Sequence, residues 1–159
     1  MGSLWSIWPS LYAVSLTSSA LNKRRRGNYD AAIKVNEVLV SLSRRRWRPL
    51  RDDLRLLAAY IELFLCHLSA NRPTVAIEKG LHALEILLNS QSYSWREFTA
   101  RRPSSFLGRP IAECGPDWIS AFLRDLRRTI ETNGSDDHRR RRPEIERILS
   151  ELPASWASR

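Results

Sequence analysis

Apolar residues along the chain recur in steps of three and four, the spacing of helices that bury one stripe. The densest run is LRLLAAYIELFLCHL at residues 54–68, interrupted only by Arg55, Glu62 and His67. Leu54, Leu57, Ile61, Leu65 and Leu68 share one face, and Leu56, Tyr60, Leu63 and Phe64 make most of the other side apolar. A helix apolar nearly all round belongs inside a bundle. The run is too short and too often interrupted for a membrane span, which takes roughly 18 or more apolar residues. It is therefore predicted to be the central helix of a small helical domain. That helix should start at Pro49 or Leu50, with Asp52 and Asp53 in a first turn where the helix dipole favours negative charge.

The same periodicity predicts the other elements. Residues 28–43 place Ala32, Val35, Val38, Leu39 and Leu42 on one face, behind an Asn28 N-cap and Asp30 in the first turn. Residues 73–89 repeat Ile77, Leu81, Leu84 and Leu88, with Gly80 placed to admit a neighbouring helix. The tight turn at Asn71-Arg72-Pro73 implies an antiparallel hairpin, so residues 28–89 form a three-helix core. Pro116-Asp117 opens a fourth long helix with a wide apolar face, Trp118 to Ile130, and Asn133-Gly134 ends it. Residues 143–152 make a last short amphipathic helix. Between residues 90 and 116 the pattern fails: Ser94-x-x-Glu97 is a capping box for a short helix, and prolines and glycines make the rest loop-like. Near the N-terminus, Pro9 is expected to break any helix. No segment alternates with a strand's period. The expected fold is all-α, a compact bundle of about four long helices plus short ones. The expected organisation is an N-terminal arm (1–26), a helical domain (27–132), and a basic tether with a short C-terminal helix (133–159).

Gly27-Asn28-Tyr29-Asp30-Ala31-Ala32-Ile33 resembles the start of the second helix of a tetratricopeptide repeat, and residues 73–85, with Ala76-Ile77-Glu78 and Ala83-Leu84-Glu85, resemble it again. The resemblance implies helical-hairpin packing over residues 28–89. Its spacing, 44 residues from Ala32 to Ala76, exceeds the repeat's usual length of about 34. Only one full helix pair is legible, where a solenoid takes at least about three repeats. No binding function follows from it.

Charge changes the picture more than length does. A chain of 159 residues is one domain able to bury its own core. Its formal charge of +9 favours an anionic partner: lipid surface, nucleic acid or acidic protein. The basic residues are 23 Arg and only 3 Lys, and with 22 Leu and 19 Ser they mark heavy use of six-codon amino acids. A GC-rich genome would produce this, as would a frame overprinted on another gene, which points towards a viral or lineage-restricted protein. Cys66 and Cys114 make no disulfide framework, so a reducing compartment is expected.

The candidate chemistry lies in basic runs and tryptophans. Met1-Gly2-Ser3-Leu4-Trp5-Ser6 fits the N-myristoylation pattern, with Gly2 as acceptor. Trp5 and Trp8 suit a membrane interface. Lys23, Arg24, Arg25 and Arg26 offer the polybasic second signal that one acyl chain needs. Arg44, Arg45, Arg46 and Arg48 surround Trp47, which would stack on a base or dip into lipid; residues 44–55 hold six Arg against two Asp. Arg101 and Arg102, and the run Arg139, Arg140, Arg141 and Arg142, complete the basic set. His67 and His82 read as satisfied structural histidines. No metal-ligand spacing, glycine-rich phosphate loop, cofactor motif or apolar carboxylate pair is present. The sequence thus reads as a non-enzymatic, membrane-associated accessory or matrix-like protein, cytoplasmic and peripheral on membranes. The alternatives are an RNA-binding protein such as an RNA-sequestering suppressor, and a helical adaptor binding a host or viral protein through the Trp118 face. The basic clusters would also serve as nuclear-localisation signals.

Overall fold

The apolar run at residues 54–68 becomes α3 in a computed structural model that describes residues 8–44, 53–89 and 117–151. The helices are α1 (Trp8–Arg25), α2 (Tyr29–Arg44), α3 (Asp53–Ser69), α4 (Pro73–Asn89), α5 (Asp117–Asn133), α6 (Asp136–Arg139) and α7 (Arg142–Glu151). No strand occurs among the described residues, and the all-α reading is borne out.

α3 is central for the reason its composition suggests: Leu57, Tyr60, Ile61, Leu63, Phe64 and Cys66 are all buried, on more than one side of the helix. Its main neighbours are α2 and α4. Gly80 on α4 is buried where a Cβ would lie 2.6 Å from Leu126 Cδ1 of α5 and 3.2 Å from Phe64, so the absent side chain allows α3, α4 and α5 to meet. Phe64 and Phe122 close the same junction edge-to-face, with centroids 5.3 Å apart. α7 folds back on α5 and buries Ile145 and Ile148.

The N-terminal expectation is corrected. Pro9 does not break a helix: it is the second residue of α1, where no intrahelical acceptor awaits its missing N–H and its fixed φ suits the first turn. α1 packs on α2 and buries Ala20 and Leu21. The chain therefore has two full helix pairs, α1–α2 and α3–α4, where only one was legible. The pairs share one turn. Gly27 (φ 78°) and Asn71 (φ 61°) adopt left-handed conformations 44 residues apart. Each is followed by an amide that donates five residues back, Asn28 to the Lys23 carbonyl and Arg72 to the His67 carbonyl, both at 2.9 Å. This is the Schellman cap. Ala32, Ala76 and Ala83, small positions of the tetratricopeptide-like stretches, are fully buried.

Part of the stretch expected to be a basic tether is helical, as α6 and the start of α7. Ser135 caps α6 with a capping box: its hydroxyl accepts from the His138 amide, and its own amide donates to His138 Nδ1. Arg141, in the turn before α7, bonds to Glu85 of α4 and Glu144 of α7. No helix of the described residues is long and apolar enough to cross a membrane.

Candidate anion-binding surfaces

Topology decides which basic runs come together. The short turn at residues 26–28 makes α1 and α2 antiparallel. Asp30, in the first turn of α2, pairs at 2.6 Å with Arg72 in the α3–α4 turn, so α2 and α3 are antiparallel too. Consequently Trp8, Arg44, Asp53 and Asn89 lie at one end of the helix array, and both capped turns lie at the other. The helices are about 25 Å long at 1.5 Å per residue. Lys23 to Arg26 is thus separated from the start of α1 by about that length. Arg44, the last residue of α2, ends beside the start of α1. Gly2, Trp5, Arg45, Arg46, Trp47, Arg48, Arg101 and Arg102 lie outside the described residues, as do Cys114 and Trp95.

The capped end is less available than its sequence suggests. Arg24 makes a two-pronged contact with Glu62 of α3: Nε at 2.6 Å and a terminal nitrogen at 3.1 Å. The Glu62 side chain is only 8% exposed. Lys23 donates to Ser19 Oγ at 2.9 Å, while Arg25 and Arg26 are exposed.

The Arg139 to Arg142 run is likewise drawn into the fold. Arg139 pairs with Asp136 and Arg140 with Asp137, both one turn back on α6. Arg141 spans Glu85 and Glu144, and these bonds raise its pKa despite some burial. Arg142 reaches Glu131 at 3.2 Å and Glu146 at 3.8 Å. Arg127 on α5 completes the network through Glu146 at 2.9 Å. Sequence reasoning passed over Arg127. The available signal was its placement one turn before Ile130 and Glu131, on the polar edge of the α5 apolar face.

Two buried groups bear on chemistry. The Cys66 thiol is pushed up to about 12, chiefly by burial and then by the Glu62 charge, with Arg24 opposing. At that value it stays protonated and behaves as a small hydrophobe. His67 departs from the expected satisfied histidine: it is buried, and neither ring nitrogen has a hydrogen-bond partner. His82 is exposed on α4 and stacks on Tyr60 with ring centroids 5.0 Å apart. Among the described residues no three His, Cys, Asp or Glu side chains gather as metal ligands.

No family model matches the chain, and no curated protein or solved structure matches it significantly. Function must therefore be argued from the chain's own residues.

The apolar face of α5 is one place where that argument narrows. Ile119, Phe122, Leu123, Leu126 and Ile130 are all buried, so these residues of the face are covered from within, while the Trp118 side chain lies outside the described residues.

His67 makes pH dependence testable. Burial lowers its pKa below 6.5, Arg72 and Lys79 lower it further, and Glu37 and Asp30 oppose. The unfolded chain then takes up a proton at higher pH than the folded one. This contribution to stability is complete above about pH 6.5 and is lost as the pH falls below it. Urea midpoints should fall between about pH 7.5 and 5.5, and His67→Leu should remove part of that fall. The same variant should raise stability at neutral pH by about 1 kcal/mol or more, since it removes two unpartnered nitrogens. A His67→Leu protein with the wild-type pH profile would refute the assignment.

Proposed function

We propose that the protein is a non-enzymatic, peripheral membrane accessory protein that meets an anionic lipid surface with the end of the bundle where α1 begins and α2 finishes. The carrying observation is the antiparallel α1–α2 hairpin, which sets Trp8 and Arg44 at one end. From that end the sequence continues towards Trp5 and Gly2 on one side, and into Arg45, Arg46, Trp47 and Arg48 on the other. An acyl chain alone supports only reversible binding, on the order of 10⁴ M⁻¹. Each Lys or Arg near an anionic leaflet adds about 1 kcal/mol. In sequence, Arg45, Arg46 and Arg48 follow directly from Arg44, the α2 end that lies beside the start of α1. Lys23 to Arg26 is a helix length away, and Arg24 is engaged with Glu62.

Flotation on phosphatidylserine-containing liposomes tests this with protein made alongside an N-myristoyltransferase. Gly2→Ala should lose flotation. Replacing Arg45, Arg46 and Arg48 with alanine should weaken it in a salt-sensitive way, whereas Arg25→Ala with Arg26→Ala should change it little. Gly2→Ala protein that floats like wild type would end the lipid reading. If such protein instead bound RNA with a steep salt dependence, about 0.7 per phosphate contacted, and lost it when Arg45, Arg46 and Arg48 were replaced, RNA would take the place of lipid at this end.

A further inference from the structure

α5, α6 and α7 enclose an open recess of about 350 Å³, lined by Arg127, Ile130, Glu131, Arg139, Arg142 and Ile145. Each of the three helices supplies one guanidinium: Arg127 from α5, Arg139 from α6 and Arg142 from α7. Buried Ile130 and Ile145 close the floor. The volume falls in the lower part of the range for small-ligand pockets, roughly 300–1,000 Å³.

The guanidiniums are held but not used up. Arg127 pairs with Glu146, Arg139 with Asp136, and Arg142 with Glu131 and Glu146. These carboxylates are 44% exposed or more, and ion pairs so open to water are weak and exchangeable. A guanidinium also carries five N–H donors, more than these contacts engage. What remains is three arginine side chains lining a partly apolar hollow, each with N–H donors to spare. Guanidinium forks match phosphate oxygens two at a time, and guanidinium faces stack on flat rings.

We propose that this recess binds a nucleotide, with the phosphate on Arg127, Arg139 and Arg142 and the base over the Ile130 and Ile145 floor. A phosphate dianion suits three cations better than one carboxylate does, and the carbon floor calls for a ring attached to the anion. The nucleotide is either free or one unit of a single-stranded RNA, since both present the same group. The proposal does not rest on the lipid reading, and unmodified protein suffices to test it.

The experiment is a titration of the full chain, followed by amide chemical shifts, with AMP, inorganic phosphate, a phosphoserine peptide and a single-stranded RNA octamer, and a melting curve for every variant. AMP should saturate the α5–α7 residues, and inorganic phosphate should bind distinctly more weakly. Arg139→Gln and Arg142→Gln should each weaken AMP roughly tenfold, the loss of one charge-assisted contact. Arg26→Gln, at the far end of the bundle, should leave binding unchanged. Glu146→Gln, which frees Arg127 and Arg142 from an internal competitor, should strengthen it. RNA binding more tightly than AMP, with the same variant pattern, identifies the strand as the source; AMP binding more tightly identifies the free nucleotide. Three outcomes overturn the proposal: inorganic phosphate binding as well as AMP, a phosphoserine peptide binding as well as AMP, or indifference of AMP binding to Arg139→Gln and Arg142→Gln in folded protein.

Discussion

Ile61→Asp should unfold the protein or cost it roughly 3 kcal/mol or more. Ile61 has no exposed surface and belongs to the core cluster that α3 shares with Ile77 and Leu84 of α4 and with Ala32 of α2. An aspartate there loses the apolar burial of the side chain and puts a carboxylate where no cation of the cluster can meet it. A domain of this size has a total stability of about 5–15 kcal/mol, so the loss is a large fraction of the whole. Urea unfolding followed by circular dichroism measures it. An unchanged midpoint would mean that α3 is not the centre of the bundle.

Arg24→Met should cost about 3 kcal/mol, more than Glu62→Leu does, and the double variant should recover most of the loss. The asymmetry follows from exposure: the Glu62 side chain is 8% exposed and that of Arg24 26%. Removing the arginine strands a buried carboxylate. Removing the glutamate leaves a guanidinium that can turn towards water. Removing both leaves two apolar side chains at an α1–α3 contact that need no partner. A double-mutant cycle by urea denaturation reads all three values. If Arg24→Met were neutral, the pair would be an ordinary surface bridge and α1 would be docked without its help. The outcome also bears on function, because an arginine that holds the fold is not free to meet lipid.

The helices legible in the sequence were those whose apolar residues fall on a face. α4 spans Pro73–Asn89, as read, and α5 runs from Asp117 to Asn133 between the predicted signals. The close approach at Gly80 was also legible, because a glycine inside an apolar helical stripe leaves a gap for a neighbour. α1 was not legible. Its apolar residues gather on no single face, and its proline suggested a break. What is seen holding α1 is tertiary: its packing on α2, the burial of Ala20 and Leu21, and Arg24 on Glu62.

The candidate sites divide in the same way. The positive charge and its location in short arginine runs are properties of the sequence. So are the pairs Asp136–Arg139 and Asp137–Arg140, whose members lie three residues apart along α6 and its C-cap and can be read from spacing. Glu62, which holds Arg24, and Glu85, one of the two partners of Arg141, lie 38 and 56 residues away, and no local pattern names them. His67 looked satisfied because polar residues in apolar helices usually are; only the packing of its neighbours shows both nitrogens without a partner. By itself the sequence determined an all-α chain, a buried central helix at residues 54–68 and a surplus of arginine, since periodicity and composition are local quantities. The tertiary structure decided which arginines are spent on carboxylates, which end of the bundle gathers Trp8 and Arg44, and where three guanidiniums surround one hollow, because each of these depends on distances between residues far apart in the chain.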